Sequence, residues 1–271
     1  MNIFQDKYGP WVIVIGAAEG LGEAYCIALA KRKMNLVMVD NRSDELKTLS
    51  IQLKKEYGIL TQTLHLDLKD KDATKIILKA VNELDIGLLI YNAAYSQIKP
   101  FVNYTTEELD AFLTINADTQ IQLVHAFAKK LITRKKAGGI ILMSSLAGLI
   151  GMQLVAPYAA TKAFTWNLAE ALNYELKQHN IDVMACISGA TATPTYLKSN
   201  PKYGFIKPLV MQSETVAEAA LNKLGKKTLF IPGFSNRLNY FILTRLMPRK
   251  MAASVANKTM GEMYAHLESK N

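Results

Sequence analysis

The chain has 271 residues, 50% of them hydrophobic and 20% charged, enough to bury a full core as one domain. It has no run of 18 apolar residues, and its first nine residues lack the basic, apolar and small-residue succession of a secretion signal, so a cytoplasmic protein is expected. The formal charge of +9 is spread over separated lysine pairs such as Lys54 and Lys55 or Lys135 and Lys136, with no aromatic-lined basic groove. That argues against nucleic acid as a partner.

Short apolar runs alternate with longer segments of helical period, the pattern of a doubly wound α/β protein. Strands are predicted at residues 11–15, 36–39, 61–66, 86–91, 140–144, 183–187 and 228–231, which makes a seven-stranded parallel sheet the simplest arrangement. Helices are predicted at 21–33, 43–57, 71–84, 106–136, 157–179, 215–224 and through much of 237–267. Cys26 falls in a helix and Cys186 in a strand, as buried thiols do, and neither has metal-ligand spacing. Thr105 with Glu108 and Thr215 with Glu218 have capping-box spacing; Gly138-Gly139 stops the fourth helical region, which is expected to break near Asn116.

No repeat and no Pro/Gly/Ser-rich linker divides the chain, so 1–271 reads as a single domain. Residues 189–212 follow a strand and carry several prolines and glycines; they fit a substrate loop at the carboxyl edge of the sheet, or a plain connector. Its Tyr196, Leu197, Tyr203, Phe205, Ile206, Leu209, Val210 and Met211 are apolar enough to surround an apolar substrate. The tail, 234–271, alternates Arg237, Arg245, Arg249 and Lys250 with Leu238, Tyr240, Phe241, Ile242, Leu243, Leu246 and Met247. It fits an amphipathic helix packed on the core, one wall of a greasy substrate site, or a weak membrane-peripheral contact.

The first predicted strand runs into Gly16-Ala17-Ala18-Glu19-Gly20-Leu21-Gly22 and then a helix. Three glycines allow a tight turn and close approach of a pyrophosphate, while the helix amino end supplies amide donors; Glu19 and Leu21 sit among them. Taken alone the turn also fits a simple strand-to-helix connection. Asp40, 24 residues beyond Gly16, ends the second strand where a carboxylate can accept from ribose hydroxyls. Its charge would repel a 2′-phosphate, so NAD is expected over NADP, with Arg42 the opposing feature. Asp67-Leu68 and Tyr91-Asn92-Ala93-Ala94 close the third and fourth strands at the same edge. Asp67 either contacts adenine or caps a turn, and Asn92 either touches the ligand or fixes the backbone.

Tyr158 and Lys162 stand four apart, with Ser145 13 residues before the tyrosine. Of three such Tyr/Lys pairs, Tyr95/Lys99 and Tyr203/Lys207 run into Pro100 and Pro208 and do not read as helical. Tyr158 follows Pro157 at the start of a long helical stripe, so Lys162 lies one turn on along the same face. A lysine charge there would favour the phenolate, giving a proton-transfer group for alcohol and ketone chemistry.

In order and spacing, Gly16, Gly20, Gly22, Asp67-Leu68, Asn92-Ala93-Ala94, Asn116, Ser145, Tyr158 and Lys162 resemble the classical short-chain dehydrogenase/reductase family, from Pro10 to about Gly233. The resemblance implies a single-domain Rossmann fold, a catalytic tetrad at Asn116, Ser145, Tyr158 and Lys162, and a nicotinamide contact at Thr193. It also implies that Lys162 helps hold the cofactor ribose, that Asn116 holds a proton-relaying water, and that the chain forms a homodimer or homotetramer. Ile15, Tyr91, Ala94 and Ser188 depart from the family pattern without removing a reacting group. The expected function is NAD(P)-dependent interconversion of a secondary alcohol and a ketone on an apolar substrate of acyl-chain or steroid-like kind. A nucleotide sensor without turnover would not need the tetrad, and a lipid-surface scaffold would not need Tyr158.

Overall fold

In a computed structural model, residues 3–203 and 207–268 are described. Their strands are β1 (Trp11–Ile15), β2 (Asn35–Asp40), β3 (Thr61–His65), β4 (Ile86–Tyr91), β5 (Gly138–Ser145), β6 (Ile181–Ser188) and β7 (Leu229–Phe230). All pair in parallel, in the order β3-β2-β1-β4-β5-β6-β7. The central strands are continuous aliphatic runs because helices cover both faces of the sheet. Val12, Val14, Leu36, Met38, Leu88 and Ile90 point into one core; Ile13, Ile15, Val37, Val39, Leu89 and Tyr91 point into the other.

The helices are α1 (Ile3–Tyr8), α2 (Gly20–Lys31), α3 (Ser43–Tyr57), α4 (Ala73–Ala80), α5 (Thr106–Leu113), α6 (Thr119–Thr133), α7 (Ala156–Leu176), α8 (Pro194–Lys198), α9 (Ser213–Leu221), α10 (Phe234–Phe241) and α11 (Arg249–Glu268). Strand order reverses between β1 and β4, which opens a cleft at their carboxyl ends. Ile15 is in register with both Val39 and Tyr91, and Ser145 with Ser188. That register carries the glycine turn, Asp40, Asn92 and Ser145 to one edge. Among the described residues no helix is long and apolar enough to cross a membrane.

The expected break near Asn116 is a π-type turn over Thr114–Asp118, between α5 and α6. Thr105 and Glu108 form the expected capping box, but Thr215 and Glu218 do not. α9 begins at Ser213, so Thr215 lies inside it, and Glu218 pairs with Arg32 at 2.6 Å instead. Gly138 and Gly139 open β5 rather than ending a helix. A Cβ on Gly138 would lie 2.5 Å from a Leu131 methyl and 2.8 Å from the Gly87 oxygen, so the strand passes there only as glycine. β7 is two residues long, and α4 is shorter than the predicted 71–84. Two short helices were not foreseen: α1, whose Tyr8 hydroxyl donates to Asp182 on β6, and α8, inside the predicted loop.

Candidate active site

The glycine turn is built for close approach. Gly16 and Gly20 adopt positive φ, +79° and +60°, which other residues rarely hold. A Cβ on Gly22 would sit 1.8 Å from the Gly16 oxygen, and one on Gly16 would sit 2.6 Å from the Ala93 backbone. Asn92 Nδ2 donates to the Gly16 oxygen at 2.7 Å, so Asn92 fixes the backbone. Glu19 makes no side-chain cap at the amino end of α2, where the helix's first amides face an incoming anion. A backbone cradle with uncapped amides fits a dinucleotide pyrophosphate.

Asp40 supports the turn as well as closing β2. Its Oδ2 accepts from Ala18 N at 2.9 Å and its Oδ1 from Arg42 N at 3.1 Å. A carboxylate has about four acceptor positions, so capacity for ribose hydroxyls remains. The Arg42 guanidinium is paired with Glu19, whose other oxygen accepts from Thr195 Oγ1 at 3.4 Å. Asp67 accepts from Lys69 N at 3.0 Å, the turn-capping arrangement, while Leu68 is buried beside it. Leu21 is partly buried against the core, and Ala93 N donates to the Ile15 oxygen at 2.8 Å.

Asn116, Ser145, Tyr158 and Lys162 come from the π turn, the end of β5 and the first turns of α7. Asn116 is buried: its oxygen accepts from Tyr95 N at 2.7 Å, and its amide donates to Tyr95 O at 2.9 Å and Thr161 Oγ1 at 3.0 Å. The side chain thus braces α7 through Thr161, and its oxygen keeps a second lone pair for a further donor. Thr161, which sequence reasoning missed, is three residues after Tyr158 and so one helical turn away; its hydroxyl donates to Tyr158 O at 2.9 Å.

Ser145 Oγ accepts from Ala147 N at 3.2 Å and hydrogen-bonds the half-buried Tyr158 phenol. Burial raises the phenol above its ordinary range, and the Ser145 bond opposes this without reversing it. The expectation that Lys162 would lower it is thus corrected for the protein by itself. Lys162 Nζ lies 5.5 Å from the Tyr158 ring centroid, donates to Met143 O at 2.7 Å, and is itself lowered to about 8 by burial. Ser144 Oγ donates to the Lys162 carbonyl at 2.7 Å, pinning α7 to β5.

Thr193 packs on the turn, its Cβ 3.1 Å from a Cβ built on Gly20, and caps α8 by accepting from Tyr196 N at 3.2 Å. The tail closes over the loop at a different place from that expected. Tyr203 and Met260 pack against Leu154, Met263 and Tyr264, and Ser199 Oγ meets Tyr264 OH at 3.0 Å. Phe241 and Leu246 face outward, while Leu243 and Met247 pack on Ile150. Phe205 and Ile206 lie outside the described residues. A hollow of about 390 Å³ behind α7, with Ile150, Met152, Ala160 and Arg249 in its wall, is lined by none of Asn116, Ser145, Tyr158 and Lys162.

A family model described as short chain dehydrogenase matches residues 10–204. A 7β-hydroxysteroid dehydrogenase of Clostridium sardiniense is 32% identical over 234 residues, 86% of this chain and 89% of that protein. A solved 7β-hydroxysteroid dehydrogenase superposes with a TM-score of 0.86 at 25% identity, covering 93% of this chain and 98% of that one. A short-chain dehydrogenase from Sphingobium yanoikuyae, solved in complex with NADPH, gives 0.76 at 27% identity over 88% of this chain and 94% of its own.

Proposed function

Because the chain belongs to the short-chain dehydrogenase family and is an NAD(P)-dependent oxidoreductase of alcohols and ketones, we propose that Tyr158 is its general acid and base. The observation that carries this is the Tyr158 phenol hydrogen-bonded to Ser145, with the Lys162 ammonium 5.5 Å from its ring, on the sheet edge that holds the glycine cradle. When bound, the nicotinamide accepts or supplies the hydride. Tyr158 gives its proton to the developing alkoxide in reduction and takes the hydroxyl proton in oxidation. Ser145 Oγ holds the substrate oxygen against the phenol, and Lys162 holds a ribose hydroxyl. Asn116 positions Tyr158 through Thr161 and the Tyr95 backbone. The phenol's raised pKa keeps it protonated at neutral pH, the form that donates in reduction, and the rate of oxidation should rise with pH as the phenolate forms.

NAD is the preferred cofactor in this reading. The support is the fixed charge of Asp40 at the end of β2, with Arg42 held by Glu19. The substrate is an apolar secondary alcohol or ketone of steroid-like size. Support comes from the hydroxysteroid dehydrogenase relative and from the apolar cluster of Ile98, Leu154, Tyr203 and Met260 next to the loop. The chain works as one domain, with residues 189–212 as substrate loop and 234–271 as a helical tail, in the cytoplasm. Exposed Leu113, Ile121 and Tyr174 on α5, α6 and α7 favour a homodimer or homotetramer.

The test is Tyr158→Phe, which removes the transferable proton and keeps the ring. Turnover should fall about 100-fold or more, with cofactor affinity by fluorescence titration nearly unchanged. A variant with near-normal kcat refutes the assignment.

A further inference from the structure

The segment from α10 to the start of α11 is apolar on two sides. Its inner side holds the fold: buried Asn236 donates to Pro232 O at 3.0 Å, Tyr240 packs on the sheet core, and Leu243 and Met247 pack on Ile150, Ala252 and Ala256. Its outer side continues the helical stripe through Phe234, Leu238, Phe241, Ile242 and Leu246, of which Phe234 is 72% and Leu246 66% exposed. A helix apolar all round is normally covered on both sides.

Charge identifies the cover. Residues 234–261 include Arg237, Arg245, Arg249, Lys250 and Lys258 and no aspartate or glutamate. Among the described residues none of these five is in an ion pair. Arg237 reaches only the Ile231 carbonyl, at 3.4 Å. A second copy using the same face would bring these cations together with no acid in the patch to meet them, because a two-fold interface is self-complementary. An apolar stripe flanked by cations with long, snorkelling stems matches an anionic bilayer surface.

We propose that the outer face of α10 and of the π-type turn Ile242–Leu246 docks on an anionic lipid bilayer, with the apolar side chains in the acyl boundary and the arginines and Lys250 at the headgroups. The same helix carries Asn236, whose amide would lie 2.8 Å from a Cβ on Gly189, at the start of the residue 189–212 loop. Docking therefore holds the base of that loop beside the lipid.

The full chain should sediment with vesicles of phosphatidylcholine containing phosphatidylglycerol, be released by high salt, and stay in solution with phosphatidylcholine alone. Two variants separate the contributions: Arg245→Glu with Lys250→Glu for charge, and Phe241→Ser with Leu246→Ser for the stripe. Each should lower partitioning about tenfold or more, with circular dichroism and turnover of a water-soluble ketone kept. Failure to sediment with the anionic vesicles, or equal binding to both kinds, overturns the proposal. So does loss of an oligomer by the Phe241/Leu246 variant on size-exclusion chromatography without any vesicle binding, which would assign the face to a second copy.

Discussion

Lys162→Met should stabilise the protein at neutral pH while removing activity. The lysine is buried and its pKa is lowered from 10.5 to about 8 by desolvation, so the folded chain binds this proton less readily than the unfolded chain. Below pH 8 both states are protonated and the folded state carries the full penalty; it is relieved as pH rises from about 8 toward 10.5. At about 1.4 kcal/mol per pH unit the penalty is about 3 kcal/mol. Methionine fills similar volume without charge, but leaves Met143 O without its donor, which costs about 1–3 kcal/mol. The net gain at pH 7 is therefore small, and the pH dependence carries the test. Denaturant unfolding of both proteins at pH 7, 8, 9 and 10 should show the stability of wild type rising against the variant by about 2–3 kcal/mol over that range. A difference that stays flat would mean that the folded ammonium keeps an ordinary pKa.

Gly22→Ala places a Cβ 1.8 Å from the Gly16 oxygen and forces the turn apart; an overpacking cost of about 1–3 kcal/mol should weaken cofactor binding about tenfold, by fluorescence titration. Unchanged affinity would mean that the turn does not hold the dinucleotide. Asp40→Ala should erode the preference for NAD in kcat/KM, whereas Arg42→Ala should impair only NADP. Equal or better use of NADP by wild type would refute the Asp40 argument.

The edge of the sheet was legible because its parts are local. A strand-length aliphatic run followed by glycines predicts a turn at Gly16, and Tyr158 after Pro157 predicts a helix start whose next turn carries Lys162. What the residues do to each other was not legible. No local pattern announced that the Asn116 amide would donate to Tyr95 and Thr161, 21 and 45 positions away. Lys162 looked like a cation lowering the phenol's pKa, but burial, which no local pattern announces, dominates both groups. Gly138 read as a helix stop because glycine marks ends as well as tight crossings, and only the approach of Gly87 and Leu131 decides between them.

Asp40 illustrates how structural and functional demands meet in one side chain. By accepting from Ala18 N it holds the glycine turn at the end of β2, and by accepting from Arg42 N it sets where the next cation begins. Its charge cannot be moved aside for a 2′-phosphate without releasing the turn that would hold the pyrophosphate. Arg42 is the side chain free to adapt, since its partner Glu19 is on a flexible stem and both are partly exposed. Recruiting Arg42 to a phosphate would leave Glu19 at the amino end of α2, where the helix dipole stabilises an acid but a nearby phosphate repels it. The repulsion from both acids would have to be outweighed by one guanidinium, so the proposed preference for NAD predicts that efficient use of NADP requires a change at Glu19 or Asp40 in addition to motion of Arg42.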